Sequence, residues 1–146
     1  MSLPYPRGLR TVRADVSQYS RRAVAALILS PDPLGGALLG AAVELAGFRL
    51  DFAQNGESAG DAVRRVKPRL VMLDCRDERL GDERLLGPAM MMGAWVYLFG
   101  TRDGLRNLEV VASRHGAEML VLPDHSDLLP ELLRRAHKHR REHFAK

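Results

Sequence analysis

The chain has 146 residues, with 22 Lys and Arg against 18 Asp and Glu and 46% apolar residues. That size and balance suit one globular domain with its own core. One cysteine, Cys75, excludes an internal disulfide and a cysteine-rich zinc cage, and no apolar run reaches the roughly 18 residues of a membrane span. The start, MSLPYPRGLRTVR, has arginines but no apolar core of a secretory signal, so a cytoplasmic location is expected. The charge is uneven: residues 1–22 carry five arginines and one aspartate, residues 131–146 carry six Arg and Lys and two glutamates, and the stretch between is mildly acidic. Basic ends can be solvated or can touch an acidic partner or nucleic acid.

Residues 1–22 lack periodicity and read as a basic arm. AVAALIL (Ala23 to Leu29) reads as a first strand, apolar on both faces and so central in a parallel sheet. Asp32-Pro33 starts a helix, with Asp as N-cap and Pro at the first position, and Gly47 stops it. FRLDFA (Phe48 to Ala53) alternates as a second strand, and Asn55-Gly56 is a turn. Glu57 to Val66 is an amphipathic helix ended by Lys67-Pro68. Leu70 to Leu73 is a third strand finishing at Asp74. A polar stretch, CRDERLGDER, precedes a short helix over Glu83 to Met92. Trp95 to Phe99 is a fourth strand, Leu105 to His115 a fourth helix, Met119 to Leu122 a fifth strand. Asp127 to about His139 is the last helix, and 137–146 is taken as its basic extension.

Five strands alternating with five helices imply an α/β fold with a doubly wound parallel sheet. Functional groups then belong at the carboxyl ends of strands one, three and four: Ser30 to Asp32, Asp74, and Gly100-Thr101.

Over residues 23–136 the sequence resembles the receiver domain of two-component response regulators, the CheY-like family. GFRLDFAQNGESA (Gly47 to Ala59) is similar to that family's passage from first helix to second strand and loop. RLVMLD resembles its third strand, and HGAEMLVLP its fifth. The resemblance implies a flavodoxin-like sheet of order 2-1-3-4-5 and a phosphorelay signalling role without enzymatic activity of its own. It makes Asp74 the phosphoacceptor, Thr101 the switch residue (Gly100 if the alignment moves by one) and Pro123 a candidate cis proline. It also implies protein partners, whether a histidine kinase, regulator or effector, and a homodimer surface on the fourth helix, fifth strand and last helix.

The functional positions depart from the family. Its adjacent acids, which hold Mg²⁺ with hard oxygen ligands, are replaced by Ser30 and Pro31. Its lysine is replaced by Leu122. Asp32 and Asp74 remain as metal-ligand candidates, and Arg76 is a candidate surrogate cation. The expectation is therefore a degenerate receiver, with weak Mg²⁺ affinity and slow or absent phosphorylation, acting through protein contact. The alternative is a working receiver using Asp32, Asp74 and the Arg76 region.

Asp74 has a second reading, as a carboxylate that caps backbone amides or pairs with an arginine. Asp77, Glu78, Asp82 and Glu83 either form an acidic pocket with it or a solvated loop. His139 and His143 could share a helical face beside His137 as metal ligands, though no acidic or sulfur ligand is paired with them. Met90 to Met92 read as core filler and Cys75 as an inert thiol. Trp95 offers a fluorescent reporter for metal and beryllofluoride binding. A nucleotide-binding enzyme is disfavoured by the lack of a GxGxxG or Walker loop, and nucleic-acid binding by the lack of an effector domain.

Overall fold

A computed structural model describes residues 24–81, 89, 91–122 and 124–141. Its frame is a five-stranded sheet of order β2-β1-β3-β4-β5, in which all four neighbouring pairs are parallel. The strands are β1 (Ala25–Leu29), β2 (Arg49–Phe52), β3 (Leu70–Asp74), β4 (Trp95–Gly100) and β5 (Glu118–Val121). The helices are α1 (Pro33–Leu45), α2 (Ala59–Val66), a one-turn α3 (Arg102–Leu105), α4 (Glu109–His115) and α5 (Leu129–Lys138).

Both faces of the sheet are covered, so its central strands are buried throughout. Successive residues of β1 serve opposite cores. Ala25, Leu27 and Leu29 pack with Ala62, Val63 and Val66 of α2, whereas Ala26 and Ile28 pack with Val43 of α1 and Leu133 of α5. Helix α1 lies close to β2: a Cβ at Gly40 would meet Leu50 at 2.7 Å, which explains a glycine mid-helix despite its cost in propensity.

Element edges differ from the sequence reading where a side chain caps a helix. Helix α2 begins at Ala59, two residues late, because the Ser58 hydroxyl accepts the Asp61 amide. Glu57 accepts the Gln54 amide instead. The fourth helix starts earlier and is broken, since Thr101 caps α3 and a 3-10 turn (Arg106–Leu108) separates it from α4. Strand β5 ends at Val121, so Leu122 lies one step past it. The expected helical extension over 137–146 stops early in its described part, and residues 142–146 lie outside the described residues. Helix α5 stops at Lys138, His139 is extended, and residues 139 and 141 are bonded to Trp95 and Gly93 at the start of β4. The expected basic arm over 1–22 and most of the expected helix over 83–92 lie outside the described residues; Ala89 and Met91 are helical.

Candidate functional site at the carboxyl end of the sheet

Strands β1 and β3 are neighbours, with Leu29 opposite Leu73, so Ser30 and Asp74 emerge side by side. The Ser30 hydroxyl donates to Asp74 Oδ2 at 2.7 Å and accepts the Asp32 amide at 3.1 Å. The chain then enters α1, where the Gly36 amide donates to the Asp32 carbonyl at 2.9 Å. Asp32 thus stands at the helix start, and its carboxylate turns toward the same centre.

Arg76 completes the cluster. Its amide donates to Asp74 Oδ1 at 2.9 Å, an Asx-turn that folds residue 76 back over the carboxylate. Its guanidinium then grips both oxygens, Nε to Oδ1 at 3.1 Å and Nη2 to Oδ2 at 2.8 Å. Nη2 also reaches Asp32 Oδ2 at 3.5 Å. Ser30, Asp32, Asp74 and Arg76 are therefore brought together. Asp74 is 1% exposed, a burial that an ionised carboxylate tolerates only when its charge and lone pairs are met.

The same unit repeats three residues on. The Arg79 amide donates to Asp77 Oδ1 at 2.9 Å, and its guanidinium donates to Oδ1 and Oδ2, each at 2.8 Å. Asp77 is 4% exposed, so the expected solvated loop is corrected at this residue. Glu78 between them is exposed; Asp82 and Glu83 lie outside the described residues. The signal was in the sequence: Asp-x-Arg occurs twice in succession, as Asp74-Cys75-Arg76 and Asp77-Glu78-Arg79. Arg79 Nη1 also reaches the Glu57 carbonyl at 3.4 Å, and Glu57 is paired with Arg65 at 2.7 Å.

These contacts set the protonation. Burial pushes the Asp74 carboxyl up, but the side-chain and backbone bonds from Arg76 and the Ser30 hydroxyl together hold it below the ordinary value. Asp77 follows the same balance with Arg79. Arg76 is raised by its bond to Asp74. The Cys75 thiol is raised by burial and then by the Asp74 charge, which keeps it protonated and unreactive.

Thr101 is exposed, and its Oγ1 accepts the Gly104 amide at 3.1 Å. The helix cap accounts for the residue, and no bond joins it to Asp74 among the described residues. Gly100 ends β4, and a Cβ there would collide with Cys75 Sγ, so position 100 admits no side chain without displacing the thiol. Leu122 is half-buried, its amide bonded to the Gly100 carbonyl at 2.8 Å. With Thr101, Cys75 and Arg76 it lines a cavity of about 270 Å³. An aliphatic side chain thus faces this cavity where the resemblance implies a lysine. Pro123 lies outside the described residues.

The arrangement does not fit Mg²⁺. A hard divalent ion needs about six oxygen ligands with negative charge to spare. Here both carboxylates are turned to a guanidinium and the hydroxyl is spent on Asp74 and the Asp32 amide. No group of three His, Cys, Asp or Glu suited to a metal occurs among the described residues. Among the described residues no histidine cluster is assembled either. His137 packs edge-on against Phe48 at 5.0 Å and approaches the Gly47 carbonyl at 3.2 Å, His139 is extended, and His143 is outside the described residues. Trp95 opens β4 opposite Leu70, four steps from the pair Asp74 and Phe99, and so reports on the other end of the sheet.

No family model matches this sequence, and no curated protein matches it. Solved structures share its fold. It is similar to NtrX from Brucella abortus, with 22% identity and a TM-score of 0.59 over 80% of this chain but 27% of that one. It is also similar to a CheY-like response regulator receiver domain protein from Methanospirillum hungatei, with 17% identity and a TM-score of 0.54 over 80% of this chain and 98% of that one. A third is a transiently phosphorylated switch in bacterial signal transduction, with 22% identity and a TM-score of 0.60 over 82% and 98%. The fold is that of a response regulator receiver domain. Among the described residues no helix is long and apolar enough to cross a membrane.

Proposed function

We propose that this chain is a receiver-type module of two-component signalling whose phosphoacceptor position is held shut by its own arginine. One observation carries the reading: the guanidinium of Arg76 lies across both oxygens of buried Asp74. Attack by a carboxylate on a phosphoryl donor needs a free oxygen and external cations to neutralise the incoming charge. Here one cation is already bound edge-on to the nucleophile, Ser30 donates to the second oxygen, and Leu122 supplies no charge. Phosphorylation of Asp74 is accordingly weak or absent, Mg²⁺ binds weakly, and the module acts by protein contact rather than by enzymatic turnover.

The partners proposed are a histidine kinase, another regulator or an effector. A second copy could dock on the α4–β5–α5 face, where Val110 and Leu128 stand exposed. Nucleic acid is not the partner proposed for this face.

The test is incubation of the full chain with Mg²⁺ and acetyl phosphate, read by intact mass, alongside calorimetric titration with Mg²⁺ and beryllofluoride. No phosphorylated species and no saturation at ordinary millimolar metal are expected. Stoichiometric labelling that disappears in Asp74→Asn would sink the reading and favour a working receiver, with Arg76 swinging aside to free Asp32 and Asp74.

A further inference from the structure

The amino end of the sheet holds a pocket of about 710 Å³ with five cations at its walls: Arg49, Arg65, Lys67, Arg69 and Arg140. The sheet register puts two of them there. Arg49 opens β2 beside Ala25, and the Arg69 amide donates to the Ala25 carbonyl at 2.8 Å from the other side. Arg140 is delivered by the chain after α5. The Trp95 indole donates to the His139 carbonyl at 2.8 Å and the Arg141 amide to the Gly93 carbonyl at 2.9 Å, so residues 139–141 are tied down against the sheet.

No carboxylate lines this pocket among the described residues. Arg65 is neutralised by Glu57 and Asp51. The other four have no carboxylate partner among the described residues. Arg49 and Lys67 have no ion pair among the described residues. Arg69 donates to the His137 carbonyl at 3.0 Å and Arg140 to the Met92 carbonyl at 2.8 Å, which satisfies one donor of each without cancelling any charge. Burial and then the charge of Arg140 disfavour the charged form of Arg69. Like charges are therefore crowded by backbone bonds in a concave site whose walls focus the field.

We propose that this pocket binds a small phosphorylated ligand of the nucleoside diphosphate class. The guanidinium forks of Arg49, Arg69 and Arg140 match phosphate oxygens in bidentate geometry. Met91 and Met92 supply apolar surface for a flat base, onto which an arginine face can also stack. The volume suits a small molecule. Extended nucleic acid would need a continuous charged track, whereas these cations gather around one open hollow. The site lies at the opposite end of the sheet from Asp74 and does not depend on the fate of that residue.

The probes are ADP and inorganic pyrophosphate, titrated separately into the full chain without added metal. Calorimetry gives the stoichiometry. Trp95, the only tryptophan, reports locally because its indole is bonded beside Arg140. One-to-one saturable binding is expected, tighter for ADP than for pyrophosphate. It should weaken about ten-fold in Arg140→Gln and in Arg49→Gln, in line with loss of a charge-assisted bond. It should be unchanged when Arg7, Arg10 and Arg13 are replaced by glutamine. Arg49→Gln loses no ion pair among the described residues, so its unfolding midpoint should not fall below the parent's, which keeps the result interpretable. Absence of saturation, or loss of binding confined to the arm variant, would overturn the site. Pyrophosphate binding as tightly as ADP would overturn the nucleoside part. A single-stranded oligonucleotide binding more tightly than ADP, and more so with length, would replace it with a nucleic-acid surface.

Discussion

The two ends of the sheet treat charge in opposite ways. At the carboxyl end, the buried carboxylates of Asp74 and Asp77 are each met by an arginine two residues on, through the same turn repeated. At the amino end, Arg49, Lys67, Arg69 and Arg140 line one pocket, and among the described residues no carboxylate pairs with them. The end that the fold usually reserves for chemistry has become electrostatically self-sufficient. The end usually left to structure has not. Compensation built into the chain removes the need for an outside ion, whereas its absence leaves free energy for one to supply.

Acid breaks this contrast most strongly, because it undoes every compensated carboxylate at once. The folded carboxyls of Asp74 and Asp77 titrate below their ordinary value, and Glu57 falls from 4.5 to about 2, chiefly through its bond from Arg65. A depressed folded value means that the unfolded chain takes up protons first as pH falls. The stability these groups add is thus complete above the ordinary carboxylate range and is lost as pH drops through the folded values, for Glu57 between 4.5 and about 2. The amino-end cations stay charged across that window. Urea midpoints measured from neutral pH downward should hold level to about pH 5 and then fall. The fall should be shallower in Asp74→Asn.

A single pair is the next largest effect. Arg79→Ala strips Asp77 of both guanidinium bonds and leaves it only the residue 79 amide. The carboxylate is buried and the arginine only 22% exposed, so screening is limited and the loss should be about 2–3 kcal/mol by urea unfolding. Adding Asp77→Asn to Arg79→Ala should recover part of it, since the cost lies in the unpaired charge rather than in a missing contact. If the two losses simply add, the buried pair is not coupled.

The strands were legible because the apolar runs are short, dense and bounded by turn residues. β3 and its terminal Asp74 could be read to the residue, whereas the strand order that sets Ser30 beside Asp74 came from the family resemblance. Helix starts were less legible, as at Ser58 and Thr101, where a hydroxyl competes with its neighbours for the first turn and the winner depends on tertiary contacts. The neutralisation of Asp74 was half legible: Arg76 stood out as a neighbour, but the repeat of Asp-x-Arg passed as ordinary surface charge. The amino-end pocket was not legible at all. Its cations come from three separate stretches, and only strand register and the bonds that hold residues 139–141 beside the start of β4 bring them together.

The smallest effect sharpens the comparison from the other side. Arg49→Gln removes one member of the uncompensated group and breaks no ion pair among the described residues. Repulsion from Arg69 and its neighbours is relieved, while the aliphatic packing of the side chain is largely kept. Stability should therefore rise slightly, by about 0.5 kcal/mol or less, and the gain should shrink with added salt as screening weakens the repulsion it relieves. The sign is the informative part. An arginine deletion that stabilises at one end of the sheet and another that destabilises at the other would separate a cation held for internal pairing from one held in reserve for an anion. A loss of stability in Arg49→Gln would instead place a hidden carboxylate near the pocket and remove the basis of the contrast.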